Sequence, residues 1–397
     1  MKHVIIGVGA AGIVAANTIS KHRPNDQIVM ISADDAVYSR CMLHKYIGGG
    51  RSVEALSFVS PNFFEARNIV WRKGISVTGI DTAAKTVSFD GGTETYDKLL
   101  IATGAKSALP PIEGVKDCSG VYGLRDLADA TAIRDKAAGA EKIVIVGAGL
   151  VGLDAAYGLI EMGKKPMVID MAKSVLSANL DERAAEVYQT KFEEAGCVFR
   201  FESKVSKVRS DGAGNLSCMI LGSGEEIPCD LLIIAVGINP ESKLLPGKPD
   251  KYLKVGDDSV FAAGDATGLS SSWPSAMEQG EVAALNMCGI ETVYEECLAQ
   301  RNTVNFFGIA SVSVGRFLAT DGDTLDVRVD KGRYQKIVIN DGVPAGVILQ
   351  GDISRCGFWQ YLIRNNVNIE KIPRSVWKVS FADAYGLNQD GEYEWVK

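Results

Sequence analysis

Histidine is almost missing from this sequence. Its three copies in 397 residues, His3, His22 and His44, all lie near the N-terminus. Nothing downstream can be a histidine general base, and no His/Cys/Glu constellation has the spacing of a zinc site, so no metal is expected. Positive charge is also short: 42 Lys and Arg against 49 Asp and Glu leave a net charge of −7, which argues against nucleic acid as a partner. No basic run is present to meet an anionic membrane, and no apolar stretch is long enough to span a bilayer. The eight cysteines, at positions 41, 118, 197, 218, 229, 288, 297 and 356, never form a CxxC or CxxxxC pair. That excludes a cysteine-ligated cluster and, in a chain of this size, a disulfide scaffold; a cytoplasmic location follows. The opening MKHVIIGV already reads as a core strand, so no cleaved signal peptide is expected.

What is present is ordinary in bulk, 46% hydrophobic and 23% charged, with length for two or three domains. The informative stretch is 2–17, KHVIIGVGAAGIVAAN. An apolar run breaks into Gly7-Val8-Gly9-Ala10-Ala11-Gly12 and then turns helical. Gly7 permits the tight turn, Gly9 lets backbone approach a pyrophosphate, and Gly12 lets helix pack on strand, with the helix N-terminus aimed at the negative charge. The pattern returns at 141–156, EKIVIVGAGLVGLDAA, with Gly147-Ala148-Gly149-Leu150-Val151-Gly152 at its centre. Two dinucleotide-type sites in one chain suggest two nucleotide cofactors with electrons passing between them.

After the first helix, 27–31 reads as a strand that leads to Ser32-Ala33-Asp34-Asp35. An acid at this strand end bonds an adenosine ribose in such folds. Ser32 holds the usual place, so Asp34 or Asp35 is expected to take that task. Arg40 and Lys45 follow in a short loop and helix, placed to neutralise a pyrophosphate. From 68 to 102 the pattern is strand-like, with a hairpin turn at Asp90-Gly91-Gly92, and the run ending at Ala102 leads to Thr103-Gly104-Ala105. Pro110-Pro111 marks a linker.

The second unit's second strand, 166–170, ends in Asp170, where an acid grips the ribose 2′-OH of NAD. Only Lys173 stands nearby to receive a 2′-phosphate, so NADH is expected in preference to NADPH. Gly237-Ile238-Asn239-Pro240 reads as the return linker, and 260–265 as another strand ending in Gly264-Asp265. A helix is expected at 275–289. In the last hundred residues, runs at 334–339 and 343–349 flank Asn340-Asp341-Gly342, a hairpin signal, and 354–365 reads as an amphipathic helix. That segment shows no chemistry of its own, so packing, homodimer formation or partner docking is its expected role.

In this order, the two glycine turns, Thr103-Gly104-Ala105, Gly237-Ile238-Asn239-Pro240 and Ala263-Gly264-Asp265 resemble the pyridine nucleotide–disulfide oxidoreductase superfamily over about residues 1–290. The resemblance implies an α/β fold with two Rossmann-like domains: an FAD domain (1–112 and 241–300) interrupted by an NAD domain (113–240), then an α+β interface domain (301–397). It places Gly7, Gly9, Ala10, Ala11 and Gly12 on the FAD pyrophosphate, the Val77 backbone at the adenine, and Ala102, Thr103 and Gly104 against the cofactor. Gly264 and Asp265 fall at the ribityl chain, Trp273 and Ala276 near the flavin pyrimidine. Gly147, Gly149, Leu150, Val151, Gly152, Asp170 and Gly237 fall to NAD.

Within the superfamily the look is closest to reductases that feed electron carriers: rubredoxin reductases, ferredoxin-reductase components of dioxygenases, and the flavin part of assimilatory nitrite reductases. Tyr38, Arg40 and Lys45 keep the spacing that sets a lysine beside the flavin in that group, and Asp154 matches the acid that pairs with it. These imply an FAD-dependent NADH oxidoreductase that hands electrons to a small electron-transfer protein or a partner oxidoreductase subunit. Cys41 also matches the single redox cysteine of NADH oxidases and coenzyme A disulfide reductases, although its flanking residues differ. A thiol- or oxygen-directed enzyme is therefore one alternative, and a non-turnover flavin-binding sensor or assembly subunit another.

Overall fold

The computed structural model describes all residues except 270, 297, 298, 371, 373, 374, 388, 396 and 397. The first glycine turn belongs to a five-stranded parallel sheet in the order Val260–Ala262, Lys98–Ile101, Lys2–Ile6, Gln27–Ser32, Ile69–Lys73. The central strands are near-continuous apolar runs because helix or sheet covers both of their faces. On one side the helix Ala10–His22 packs against Trp273–Met287. A Cβ on Gly280 would land on the Ala11 backbone, so glycine sets how near these helices come. Ser272 caps the second helix by accepting the Ser275 N–H at 3.2 Å, and Pro274 sits in its first turn. The helix therefore begins two residues earlier than expected, at Trp273.

The second glycine turn follows Ile143–Val146, which pairs in parallel with Met167–Ile169 on one side and Leu231–Ile234 on the other. The supposed linker at 237–240 is structured. Ile238–Pro240 pairs antiparallel with Ala105–Ser107, and the Glu241 N–H donates to Gly104 C=O at 2.9 Å. Two crossing segments thus satisfy each other's backbone groups.

By contacts the chain divides into two compact units, Met1–Gly147 with Val151–Ile169 and Ser203–Glu296, and Ala148–Leu150 with Asp170–Glu202 and Cys297–Lys397. Segment 113–240, expected as one domain, is shared between them, for a local reason. Asp181 caps the helix Glu182–Glu194 and takes the Tyr334 O–H at 2.6 Å and the Lys336 ammonium at 3.0 Å. Tyr188 donates to Ile309 C=O at 2.9 Å and to Ser311 Oγ at 2.7 Å. These bonds tie the helix to the C-terminal sheet.

That sheet is antiparallel, in the order Arg301–Phe306, Ile309–Gly315, Val343–Gln350, Arg333–Asn340, Thr324–Asp330. The expected hairpin closes on Asp341-Gly342, both at positive φ. The helix Cys356–Arg364 lays Phe358, Trp359, Leu362 and Ile363 on the sheet, where Trp359 is fully buried.

Candidate cofactor and redox site

The first turn is built as its glycines require. Gly7 has φ +110°, and a Cβ there would strike the Ala102 carbonyl; a Cβ on Gly12 would strike the Gly7 carbonyl. Gly9 has open space where a side chain would stand, caps the helix without a side-chain bond, and accepts the first intrahelical bond from Ile13 at 3.0 Å. The N–H groups ahead of Ile13 are the ones a helix leaves for an anion, and no acid occupies the first turn.

A cavity of about 690 Å³ opens in front of this turn. Of the residues singled out from the sequence, Gly7, Gly9, Ser32, Asp34, Arg40, Val77, Ala102, Thr103 and Gly104 line it. Asp35 is exposed and is not on its wall, so of the two candidate acids only Asp34 faces the cavity. Asp34 is itself engaged: Tyr38 donates to one oxygen and Arg40 Nη2 to the other, both at 2.7 Å. Arg40 also donates to the Arg125 C=O at 3.1 Å. A glycine cradle, a helix N-terminus and a guanidinium around one cavity are the donor set that a pyrophosphate-bearing dinucleotide needs. The residues therefore fit a dinucleotide cofactor.

Beyond this cavity, Gly264 stands against Ala11 and Ala276, where a Cβ would lie 3.2 and 3.6 Å from theirs. Trp273 meets the Phe58 ring edge-on at 4.9 Å. Asp265 pairs with Arg125, whose Nε donates to the Ala105 C=O at 3.1 Å. Arg125 carries no motif, and only the fold reveals it on the cavity wall with Lys106, Lys243 and Glu241.

The pairing expected between Lys45 and Asp154 is replaced. Lys45 Nζ donates to Glu161 Oε1 at 2.8 Å and sits 4.4 Å from the Tyr157 ring centre. Asp154 instead faces His44, with Oδ1 and Nδ1 3.3 Å apart but not aligned as a hydrogen bond. The cause is reach. Asp154 has the shorter arm, whereas Glu161, seven residues on along the same helix, presents a longer one on the same face.

Helix and loop meet closely here: a Cβ on Gly158 would stand 2.6 Å from the His44 carbonyl oxygen. Asp154 is only partly exposed, and desolvation pushes its carboxyl up to about 8 despite the nearby Lys45. The same cause, reinforced by Lys45, lowers the His44 imidazole to about 4. At neutral pH both are uncharged. Cys41 is open to solvent. Desolvation raises its thiol pKa, and Asp154 adds to the rise while Arg125 opposes it.

Around the second turn, a Cβ on Gly147 would strike the Ala235 carbonyl and one on Gly152 the Gly147 carbonyl, whereas Gly149 and Gly237 have open space. Leu150 begins the helix Leu150–Glu161, and Val151 is exposed on its first turn. Asp170 accepts the Ala148 N–H at 2.5 Å and the Ala172 N–H at 2.7 Å, which holds its carboxylate beside the turn residue Ala148. Among the described residues no group of three or more His, Cys, Asp or Glu side chains could hold a metal ion, and no helix is long and apolar enough to cross a membrane.

Known proteins are similar to this chain in sequence and fold. The chain is 30% identical over 370 residues to NADH-dependent phenylglyoxylate dehydrogenase subunit epsilon of Aromatoleum evansii, covering 87% of each. It is 28% identical over 368 residues to the assimilatory nitrate reductase electron transfer subunit of Bacillus subtilis, covering 88% of this chain and 47% of that one. This chain therefore spans about half the length of that relative. A solved NAD-dependent persulfide reductase from A. fulgidus superposes with a TM-score of 0.83 at 26% identity, over 94% of this chain and 78% of the other. Residues 301–367 match the rubredoxin NAD+ reductase C-terminal domain. With residues 1–280 matching its family description, the chain belongs to the pyridine nucleotide-disulphide oxidoreductase family.

Proposed function

We propose that this chain is an FAD-dependent NADH oxidoreductase that passes electrons to a small redox carrier or a partner oxidoreductase subunit. The observation that carries this reading over a thiol enzyme is the state of Cys41. A cysteine that cycles through oxidation must be a thiolate, usually beside a cation that lowers its pKa. Cys41 is raised instead, by desolvation and by Asp154.

In this reading Gly7, Gly9 and the N–H groups of Ala10, Ala11 and Gly12 hold the FAD pyrophosphate, Arg40 neutralises it, and Val77 and Ser32 border the adenosine end. Bound there, FAD would supply the exchange between two-electron hydride chemistry and one-electron transfer that a carrier needs. Lys45 supplies positive charge, kept in place by Glu161 and the Tyr157 ring, and neutral Asp154 adds no opposing charge. Gly147, Gly149, Gly152 and Asp170 receive NADH, with the acid on the ribose 2′-OH. The relatives named for NADH-dependent and electron-transfer subunits support this assignment. Free thiols at every described cysteine fit a reducing, cytoplasmic setting.

The test is NADH-driven reduction of an artificial one-electron acceptor by the Cys41→Ser chain. Activity is expected to survive, and its loss would reject the carrier reading. One observation favours a second reading: Cys41 is solvent-accessible, and a persulfide reductase is among the similar structures. On that reading, titration with NADH consumes reducing equivalents beyond those of the flavin; an endpoint of two electrons rejects it.

A further inference from the structure

Gln279 lies in the middle of the helix Trp273–Met287 and is fully buried. A buried side-chain amide is costly unless its oxygen and its nitrogen both find partners. Its Oε1 accepts the Gly264 N–H at 2.8 Å. The same oxygen lies 3.1 Å from Thr267 Oγ1, whose hydroxyl donates to the Gly264 C=O at 2.8 Å. Its Nε2 donates to Tyr294 Oη at 3.2 Å. The Gly264 N–H can only donate, so this bond also fixes which way the amide faces. The turn needs the bond. The Ala263 N–H still reaches the sheet, at the Ile101 C=O. At Gly264 the backbone swings to φ +75° and enters the short 3-10 turn Gly264–Thr267. The first N–H groups of such a turn have no partner within it, and Ala263 at its cap has no side-chain oxygen to offer.

We propose that Gln279 is a positioning residue for the flavin cofactor. By holding the Gly264 peptide it fixes the direction in which the next residue, Asp265, meets the ribityl chain. Gln279 has no exposed surface, so it acts through that peptide and not by touching the cofactor. The place of the turn makes this direction matter. Gly264 stands against Ala11 of the first-turn helix and Ala276 of the helix that carries Gln279. Asp265 turns its carboxylate to Arg125, on the cavity wall. A methionine at 279 would fill much the same space but leave the buried Gly264 N–H unpaired, and the turn would shift to satisfy it. A glutamate would keep an acceptor for that N–H, with the Tyr294 hydroxyl able to donate to its second oxygen. The inference rests on the FAD reading, because it concerns the ribityl chain, which FAD has and ADP lacks.

Titration of the flavin-stripped full chain with FAD and, separately, with ADP tests the proposal. Gln279→Met is expected to raise the Kd for FAD at least about tenfold, the worth of a hydrogen bond to a charged group, and to leave the Kd for ADP unchanged. Gln279→Glu is expected to restore the affinity for FAD. In an Asp265→Ala background, Gln279→Met is expected to cost no further affinity, because the residue through which it acts is gone. Four results overturn the inference alone: an unaltered Kd for FAD in Gln279→Met, equal losses for FAD and ADP, no recovery in Gln279→Glu, or additive losses in the double variant. A wild type that takes ADP but not FAD overturns the FAD reading, and this inference with it.

Discussion

Asp154 and His44 titrate in opposite directions from neighbouring positions, and their effects on stability separate by pH. Asp154 is at about 8 when folded against an ordinary 3.8, so its contribution is full below 3.8 and lost as pH rises through 8. His44 is at about 4 against 6.5, so its contribution is present above 6.5 and lost as pH falls through 4. Between about 4 and 6.5 the two slopes offset. Between 6.5 and 8 only Asp154 acts, and stability falls by about 1.4 kcal/mol per pH unit. Asp154→Asn removes that fall, which thermal unfolding of the flavin-free chain across this window will show; a variant as pH-sensitive as the wild type refutes it. The sequence singled out Asp154 and Lys45 but not their partners, because pairing depends on side-chain reach across two helices. Asp170, by contrast, was legible from its place at a strand end. Asp170→Ala is expected to raise KM for NADH at least about tenfold, the worth of a hydrogen bond to a charged group, without raising KM for NADPH. Steady-state kinetics with both nucleotides decide this.

The elements beside the site depend on how near two helices approach. The short helix Leu43–Ile47 carries His44 and Lys45, and the stretch Asp154–Glu161 carries their partners. Gly158 permits the contact: Gly158→Val would place its Cβ 2.6 Å from the His44 carbonyl oxygen. Such overpacking should destabilise the chain by about 1–3 kcal/mol and part Lys45 from Glu161. Chemical denaturation measures the first effect, and an unchanged midpoint would show that the helices are not pressed together in solution. Most strands and the glycine turns were readable from apolar runs and turn residues, which are local signals. That the 237–240 return linker pairs as a strand was not legible, because its partner, Ala105–Ser107, lies more than a hundred residues away.

Across the whole molecule, the first nucleotide-binding sheet is assembled from distant parts of the chain. Val260–Ala262 pairs with Lys98–Ile101, and the helix Trp273–Met287 covers Ala10–His22. A chain ending at residue 240 lacks that strand and helix, and with them Phe261, Ala283 and Ala284 from the core around the first turn. It is expected to be recovered without flavin, and a truncated chain that retains visible flavin absorbance would contradict this. By itself the sequence determined the two glycine turns, the acid after the second unit's second strand, the C-terminal hairpin and the family, because each depends on residues close together in the chain. Only the tertiary structure decided that Lys45 rests on Glu161, that Arg125 reaches Asp265, and that 170–202 joins the C-terminal sheet. Those outcomes turn on desolvation and on the lengths of side chains that meet only once the strands are stacked.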